Sequence, residues 1–344
     1  MFLEIKNRIE QELKTYLRSV GQAYGLSKIS PSLFKHIRDF ISRKGKRIRP
    51  CLFVMGYLGF ADKAPPGLYR SALSLELLHD FMLVHDDIID KSDTRRGRPS
   101  MHAMLNHSLK KYKNIKFNGQ DLTIVIGDVM FAMALDAFLS VKENMLRKEM
   151  ALRKLIAAAF YTGSGEFIEL LAGTKDIAKI SRRQIYKIYG LKTANYTFAS
   201  PLAIGATLAG AKETQVRRLF SYGLSLGRAF QIKDDLLGCF AEESETGKSN
   251  LTDLQEAKKT ILIWHAYHHC APAEKTAMRN ILSKNKVNPK DLRKIRGIII
   301  EAGSLSYAWQ EINLLRKRAK KILNSSSMHT EYKKGLSEYA AQLL

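Results

Sequence analysis

Three aspartates end an apolar stretch, Glu76-Leu77-Leu78-His79-Asp80-Phe81-Met82-Leu83-Val84-His85-Asp86-Asp87-Ile88-Ile89-Asp90. In a helix Asp86 and Asp90 stand at i,i+4 and Asp87 and Asp90 at i,i+3, so all three share one flank. Like charges that close repel, and the dipole at a helix C-terminus disfavours them further. A hard divalent cation reverses the sign, because Mg²⁺ takes carboxylate oxygens and still holds phosphate. Arg95, Arg96 and Arg98 follow at once, and guanidinium forks suit phosphate oxygens. Carboxylates beside arginines point to Mg²⁺ and a phosphorylated ligand. The plainer alternative is a solvated helix end with ordinary ion pairs.

A second acidic stretch, Phe230-Gln231-Ile232-Lys233-Asp234-Asp235-Leu236-Leu237-Gly238, repeats the pattern. Gln231 is i,i+3 to Asp234 and i,i+4 to Asp235, so these share a face. Two aspartate-tipped helices directed at one another would hold several Mg²⁺ ions, with Lys248 and Lys258 on the far side of a diphosphate. Earlier, Arg43-Lys44-Gly45-Lys46-Arg47-Ile48-Arg49-Pro50 packs five cations into seven residues. Lys46 and Arg49 are i,i+3 and can face one anion, although alone the stretch reads as an exposed basic turn. His79 lies two turns before Asp86, on roughly the same face. Lys192-Thr193 borders a run of small apolar residues from Ala194. Glu166 and Glu169 read equally as site residues or helix surface. His265 and His269 have metal-binding i,i+4 spacing, but no further ligand pattern supports it and a structural role is favoured.

The elements that must position these residues are helical. Alternating β-branched runs are missing, and apolar residues recur at three-and-four spacing. Helices are expected over 2–20, 31–43, 48–60, 67–90, 101–112, 121–140, 144–172, 181–210, 212–240, 253–271, 273–284, 289–303, 304–325 and 329–343. Pro201, inside the eighth of these, predicts a kink. With short connections and no composition break, the chain reads as one all-α domain over residues 1–344.

The 344 residues are 45% hydrophobic and 26% charged, as in a soluble globular protein. No uncharged apolar run of membrane-spanning length occurs, so no membrane span is expected. The three scattered cysteines fit a reducing cytoplasm. The net charge of +23 admits nucleic acid, an anionic surface or anionic substrates. The cations are spread along helical faces without nucleic-acid-binding motifs, so no nucleic acid is expected and most of the charge reads as solvated surface.

Taken together, these motifs resemble the trans-isoprenyl diphosphate synthases of the polyprenyl synthetase family. They are Gly45-Lys46-Arg47-Ile48-Arg49-Pro50, Asp86–Asp90 with Arg95-Arg96-Gly97-Arg98-Pro99, Lys192-Thr193, Gln231–Asp235 with Gly247-Lys248, and Lys258-Lys259-Thr260. The resemblance implies an all-helical bundle around a central catalytic cavity, the isoprenoid synthase fold, commonly as a homodimer. It implies that Asp86, Asp87, Asp90, Asp234 and Asp235 bind three Mg²⁺ that grip an allylic diphosphate. By the same resemblance Arg95, Lys192, Lys248 and Lys258 bind that diphosphate. Lys46, Arg49, His79 and Arg96 would bind isopentenyl diphosphate, and Thr193 and Gln231 would sit near the developing cation. The released diphosphate is the expected base. One departure is Gly238, where the second motif usually has a third acid; Glu242, Glu243 or water would then complete the metal shell.

Product length in the family depends on the residues before the first motif, here Phe81 and Met82. An aromatic at the former position resembles geranylgeranyl diphosphate synthases, which predicts a C20 product with C15 as the alternative. Helix geometry brings Met82 within about 40° of Asp86 but sets Phe81 about 140° away, so the role of Phe81 rests on the resemblance. A terpene cyclase would not need a second phosphate site. A regulatory subunit of a heteromeric synthase would be expected to lose one acidic motif.

Overall fold

The computed structural model describes residues 1–241 and 251–344, the side chains of Thr252 and Asp253 apart. The chain is all-α, and it divides into two compact units: Met1–Leu155 with Ile204–Ala211, and Ile156–Ala203 with Lys212–Leu344.

In the first unit the helices are α1 (Phe2–Ala23), α2 (Leu26–Ile29), α3 (Pro31–Ile41), α4 (Ile48–Leu58), α5 (Leu68–Ile89), α6 (Met101–Leu109) and α7 (Gly119–Leu139). α8 (Met145–Gly173) begins here. Successive residues of α5 from Ser71 to Leu78 are buried, as befits a helix packed on all sides rather than along one stripe. It lies along α7 and is flanked by α1 and α4. α7 starts at Asn118, whose side chain accepts the Asp121 N–H while Asp121 accepts the Asn118 N–H, a reciprocal capping box.

α5 stops just where its acids are needed. Lys91 takes a left-handed conformation, φ 54°. Its N–H bonds to the Ile88 carbonyl, and the Ser92 N–H to the Asp87 carbonyl. This Schellman ending satisfies the last carbonyls without the usual glycine. A small hairpin follows, β1 (Thr94–Arg95) against β2 (Arg98–Pro99), with Arg95 opposite Arg98. Its turn residues Arg96 and Gly97 both have positive φ, 55° and 69°, as a two-residue hairpin turn matched to strand twist requires. Sequence patterning gave no sign of this hairpin, since two-residue strands carry no periodicity.

In the second unit α9 (Arg182–Ile188) runs into a π-helical stretch, Tyr189–Ala199, and then into α10 (Ser200–Leu208), whose residues from Ile204 belong to the first unit. The single helix expected over 181–210 is thus three pieces. The kink expected at Pro201 falls beside a change from π to α register at Ser200, within a helical run that continues to Leu208. α11 (Glu213–Phe240) packs on the π stretch. Closeness there depends on glycine: a Cβ on Gly227 would stand 2.5 Å from Ala194 Cα, and one on Gly223 2.4 Å from Ala199 Cα.

The remaining helices are α12 (Thr252–Gln255), α13 (Ile261–His269), α14 (Pro272–Leu282), α15 (Pro289–Glu301), α16 (Ser304–Asn324) and α17 (Thr330–Leu343). The continuous helix expected over 253–271 is broken. Ala257 has φ 51°, and Thr260 caps α13 by accepting the Ile263 N–H at 3.3 Å, a start signal visible as Thr before Ile-Leu-Ile-Trp.

α7 and α8 are long and apolar enough to cross a membrane by length and composition, with 44% and 28% of their apolar spans buried in the protein. Charged Asp121, Asp128 and Asp136 punctuate α7, which is why no uncharged run is visible in the sequence.

Candidate active site

In the first unit the acids at the end of α5 divide their work. Asp86 and Asp90 each bring a carboxylate oxygen within 4.8 Å of the other. Asp87 is fully buried and accepts from Arg95 Nε at 2.7 Å. Arg95 Nη2 also reaches Asp86 Oδ2 at 3.3 Å. Burial opposes the Arg95 charge, but Asp87, Asp86 and Asp90 outweigh it and hold its pKa above the usual value. The guanidinium therefore offsets the repulsion that the three carboxylates would otherwise build up. Two hard oxygen donors a few ångströms apart, steadied by a neighbouring arginine, fit a hard divalent cation such as Mg²⁺.

The basic stretch before α4 is not a solvated turn. Arg43 and Arg47 are buried. Arg43 donates to the Pro99 carbonyl at 3.0 Å and to Asp39 at 3.1 Å, tying the hairpin down. Arg47 grips Glu76 at 2.6 Å and Glu10 at 2.8 Å. These two arginines support the turn, while Lys46 stays exposed and Arg49 half-buried. Arg96 Nη2 lies 3.4 Å from Asp80 Oδ1 and 3.9 Å from Glu76 Oε1, and its Nη1 is buried with no hydrogen-bond partner among the described residues. Burial, then Arg49, Arg96, Arg95 and Arg47, push the His79 pKa well down, so the imidazole is neutral and can donate a hydrogen bond without adding charge. The structure thus brings His79 among Arg49, Arg95 and Arg96. Glu76, Asp80 and Arg47, which hold this group in place, were not singled out as site residues.

Phe81 turns toward α7. Its ring centroid is 5.3 Å from that of Phe131 and 4.7 Å from that of His85. Phe81 and Met82 are both half-buried. Phe131 is a neighbour that spacing on α5 alone does not reveal.

In the second unit a chain of hydrogen bonds links the π stretch to α11. Thr193 Oγ1 donates to Gln231 Oε1 at 2.6 Å, and Gln231 Nε2 donates to Asp235 Oδ1 at 2.9 Å. Asp235 is buried, and its other oxygen accepts from the Tyr189 hydroxyl. The Tyr189 oxygen in turn accepts the Ile261 N–H at 2.8 Å. Burial and Asp235 hold the phenol pKa far above its ordinary value, so Tyr189 remains a donor. With its proton committed to Gln231, Thr193 keeps oxygen lone pairs for positive charge. Asp234 is exposed, so the adjacent acids differ: one anchors the network and the other faces outward.

Removing the Tyr189 hydroxyl tests this network. Tyr189→Phe leaves the Ile261 N–H and one Asp235 oxygen without the phenol, at about 1–3 kcal/mol for each buried group, measurable by urea unfolding. The looser Gln231 and Thr193 should also lower kcat about tenfold to a hundredfold.

Lys192 Nζ sits between Glu166 and Glu169, 2.5 Å from each. Both glutamates are therefore partners of a predicted site lysine rather than bare helix surface. Lys258 is half-buried and pairs with Glu256 at 2.6 Å. A cavity of about 30 Å³ is lined by Asp235, Gly238, Cys239, Lys258 and Thr260 among others, large enough to hold water, beside the glycine that replaces an expected acid. Lys248, Glu242 and Glu243 lie outside the described residues. His265 stacks between His269 at 3.9 Å and Tyr307 at 4.1 Å, and its Nδ1 meets Ser304 Oγ at 3.0 Å, so the histidine pair is packed as structure.

Comparison with known proteins agrees with this chemistry. Residues 30–299 match the polyprenyl synthetase family. A geranylgeranyl diphosphate synthase of Sulfolobus acidocaldarius is 29% identical over 343 residues, covering 99% of this chain and 96% of that protein. One of Saccharolobus solfataricus is 30% identical over 321 residues, 90% and 85% of the two chains. The crystal structure of geranylgeranyl pyrophosphate synthase from Corynebacterium glutamicum, complexed with isoprenyl diphosphate and magnesium, superposes with a TM-score of 0.89 at 27% identity, covering 99% of this chain and 98% of that one. The ordered motifs, the helical architecture and these matches along nearly the whole length place the chain in the polyprenyl synthetase family, a family of prenyltransferases.

Proposed function

We propose that the protein condenses isopentenyl diphosphate with allylic diphosphates and makes geranylgeranyl diphosphate, C20. The observation that carries this reading is the first unit's pairing of two chemistries: carboxylates suited to a metal beside Arg95, and Arg96, near Arg49 and His79, with a buried donor that has no partner among the described residues. One holds a metal-bound diphosphate; the other holds a second diphosphate without metal. Activities of the named relatives support the same assignment.

Asp86, Asp87, Asp90, Asp234 and Asp235 supply or orient ligands for three Mg²⁺; Mg²⁺ when bound neutralises the leaving diphosphate. Asp87 and Asp235 act mainly by fixing Arg95 and Gln231. Arg95, Lys192, Lys248 and Lys258 bind the allylic diphosphate, and Lys46, Arg49, His79 and Arg96 bind isopentenyl diphosphate. The allylic C1–O bond breaks, its electron pair leaving with diphosphate. Thr193 and Gln231 stabilise the cation with fixed dipoles. The isopentenyl double bond attacks C1, and the proton then lost goes to a diphosphate oxygen.

Phe81, backed by Phe131, limits the growing chain, with Met82 beside it. Phe81→Ala should therefore extend the product from C20 to C25 or beyond, read by chromatography of the dephosphorylated alcohols. Wild-type protein making only C15 removes the product assignment, F81A leaving the length unchanged removes the role of Phe81, and either result leaves the reaction class intact.

The protein acts as a homodimer. α8 exposes Met145, Leu146, Phe160 and Phe167, an apolar face larger than isolated surface residues explain, and a second copy covers it. Light scattering should return a mass near twice 39.0 kDa. The cytoplasm is the compartment that fits the sparse cysteines and diphosphate substrates.

A further inference from the structure

Asp80 lies six residues before the first metal-binding acid and has no part in the reaction described so far. It is fully buried on α5, with Glu76 one turn earlier on the same face. Both carboxylates converge on one group, Arg96 Nη2, at 3.4 Å and 3.9 Å. Arg96 itself stands in the left-handed region, φ 55°, so the hairpin turn is held in a conformation that non-glycine residues seldom adopt. The inner end of its guanidinium is anchored, and Nη1 remains a buried donor with no partner among the described residues. Asp80 Oδ2 is likewise buried without a partner among them, so this carboxyl is given over to a single contact.

We propose that Asp80 is a positioning residue for isopentenyl diphosphate: it anchors Arg96 through Nη2 and so presents Nη1 to the diphosphate. The proposal rests on the reading of Arg96 as part of that site. It also sets the charge of the site. The groups around Asp80 are Glu76 and His79 on α5, Arg47 and Arg49 at the start of α4, and Arg96 on the hairpin; Arg47 is shared with Glu10 of α1. Burial, then Glu76, pushes the Asp80 carboxyl up to about 8, against the pull of the three arginines. Below that pH it mostly carries its proton, and the arginines keep their charge for the substrate. Above it the ionised carboxylate offsets one positive charge, so affinity for isopentenyl diphosphate should fall as pH rises.

The test is steady-state kinetics of the wild type, Asp80→Ala, Asp80→Asn and Arg96→Ala, with isopentenyl and allylic diphosphates varied separately from pH 6.5 to 9.5. Asp80→Ala should raise the KM for isopentenyl diphosphate about tenfold, the scale of one hydrogen bond to a charged group. The KM for the allylic substrate should move less than about threefold, because Arg95 and the acids are untouched. Asp80→Asn preserves shape and cannot ionise. Its KM should be near wild type at pH 6.5, and the rise seen in the wild type through about pH 8 should be absent. It also guards against a folding failure of the alanine variant. If Arg96→Ala raises that KM while Asp80→Asn titrates like wild type and any folded Asp80→Ala keeps a wild-type KM, the role of Asp80 is overturned and the site stands. If Arg96→Ala leaves the KM unchanged, the site assignment falls and takes the proposal with it.

Discussion

Asp86→Ala should lower kcat for condensation about a thousandfold. The carboxylate is one of the two donors drawn together at the end of α5, and it also receives Arg95 Nη2 at 3.3 Å. A metal that neutralises a leaving diphosphate contributes several kcal/mol, and a loss of about 4 kcal/mol corresponds to about three powers of ten in rate. The damage should be confined to the metal-dependent half. The KM for isopentenyl diphosphate should change less than about threefold, because Arg96 is anchored by Asp80 and Glu76. The Mg²⁺ concentration for half-maximal rate should move upward as well. An equal rise in both KM values with unchanged kcat would mean that Asp86 contributes uniform binding and holds no catalytic metal.

Arg95→Ala should be the most damaging substitution to the fold. Asp87 is fully buried and takes the Arg95 Nε hydrogen bond at 2.7 Å. Removing the cation breaks a buried, hydrogen-bonded ion pair, which costs about 3–5 kcal/mol. The change also loosens Asp86, so activity should fall with stability. Urea unfolding separates the two effects: activity measured at denaturant concentrations where the variant is fully folded reports the site alone. Arg95→Lys should recover part of the stability but little of the rate, because a lysine returns the charge without the two-pronged geometry that reaches Asp87 and Asp86 together. If Arg95→Ala unfolds at the wild-type midpoint, the Arg95–Asp87 pair does not support the fold.

What the sequence disclosed, and what it withheld, follows from the range of the interactions involved. Helices and acid clusters are local. Spacing along α5 places Asp86 and Asp90 on one flank, and the structure brings their oxygens within 4.8 Å. Gln231 and Asp235 at i,i+4 hydrogen-bond as their spacing implies. Partners from elsewhere in the chain carry no such mark. Tyr189 meets Asp235 across 46 positions, and Lys192 meets Glu169 across 23. Both contacts exist because the π stretch packs against its neighbours, and no periodicity announces a π register. Arg43 and Arg47 were legible as cations but not as buried ones, since burial depended on carboxylates and carbonyls in α1, α3, α5 and the hairpin. Thr260 before Ile261 is a counter-example: the cap signal was present, and an unbroken helix was still expected because the apolar pattern continued across it. Helix geometry set Phe81 off the acidic flank, and the structure finds its ring against Phe131, a contact that depends on how α7 lies along α5.

The most direct test is incorporation of radiolabelled isopentenyl diphosphate into a C15 allylic primer by the purified protein, with Mg²⁺ and after chelation. A two-substrate synthase should yield a labelled C20 diphosphate with one isopentenyl unit per primer, and none once the metal is removed. Folded protein that releases diphosphate from the primer but never incorporates the label would contradict the account, because the Arg96 cluster would then be serving something other than a second diphosphate substrate.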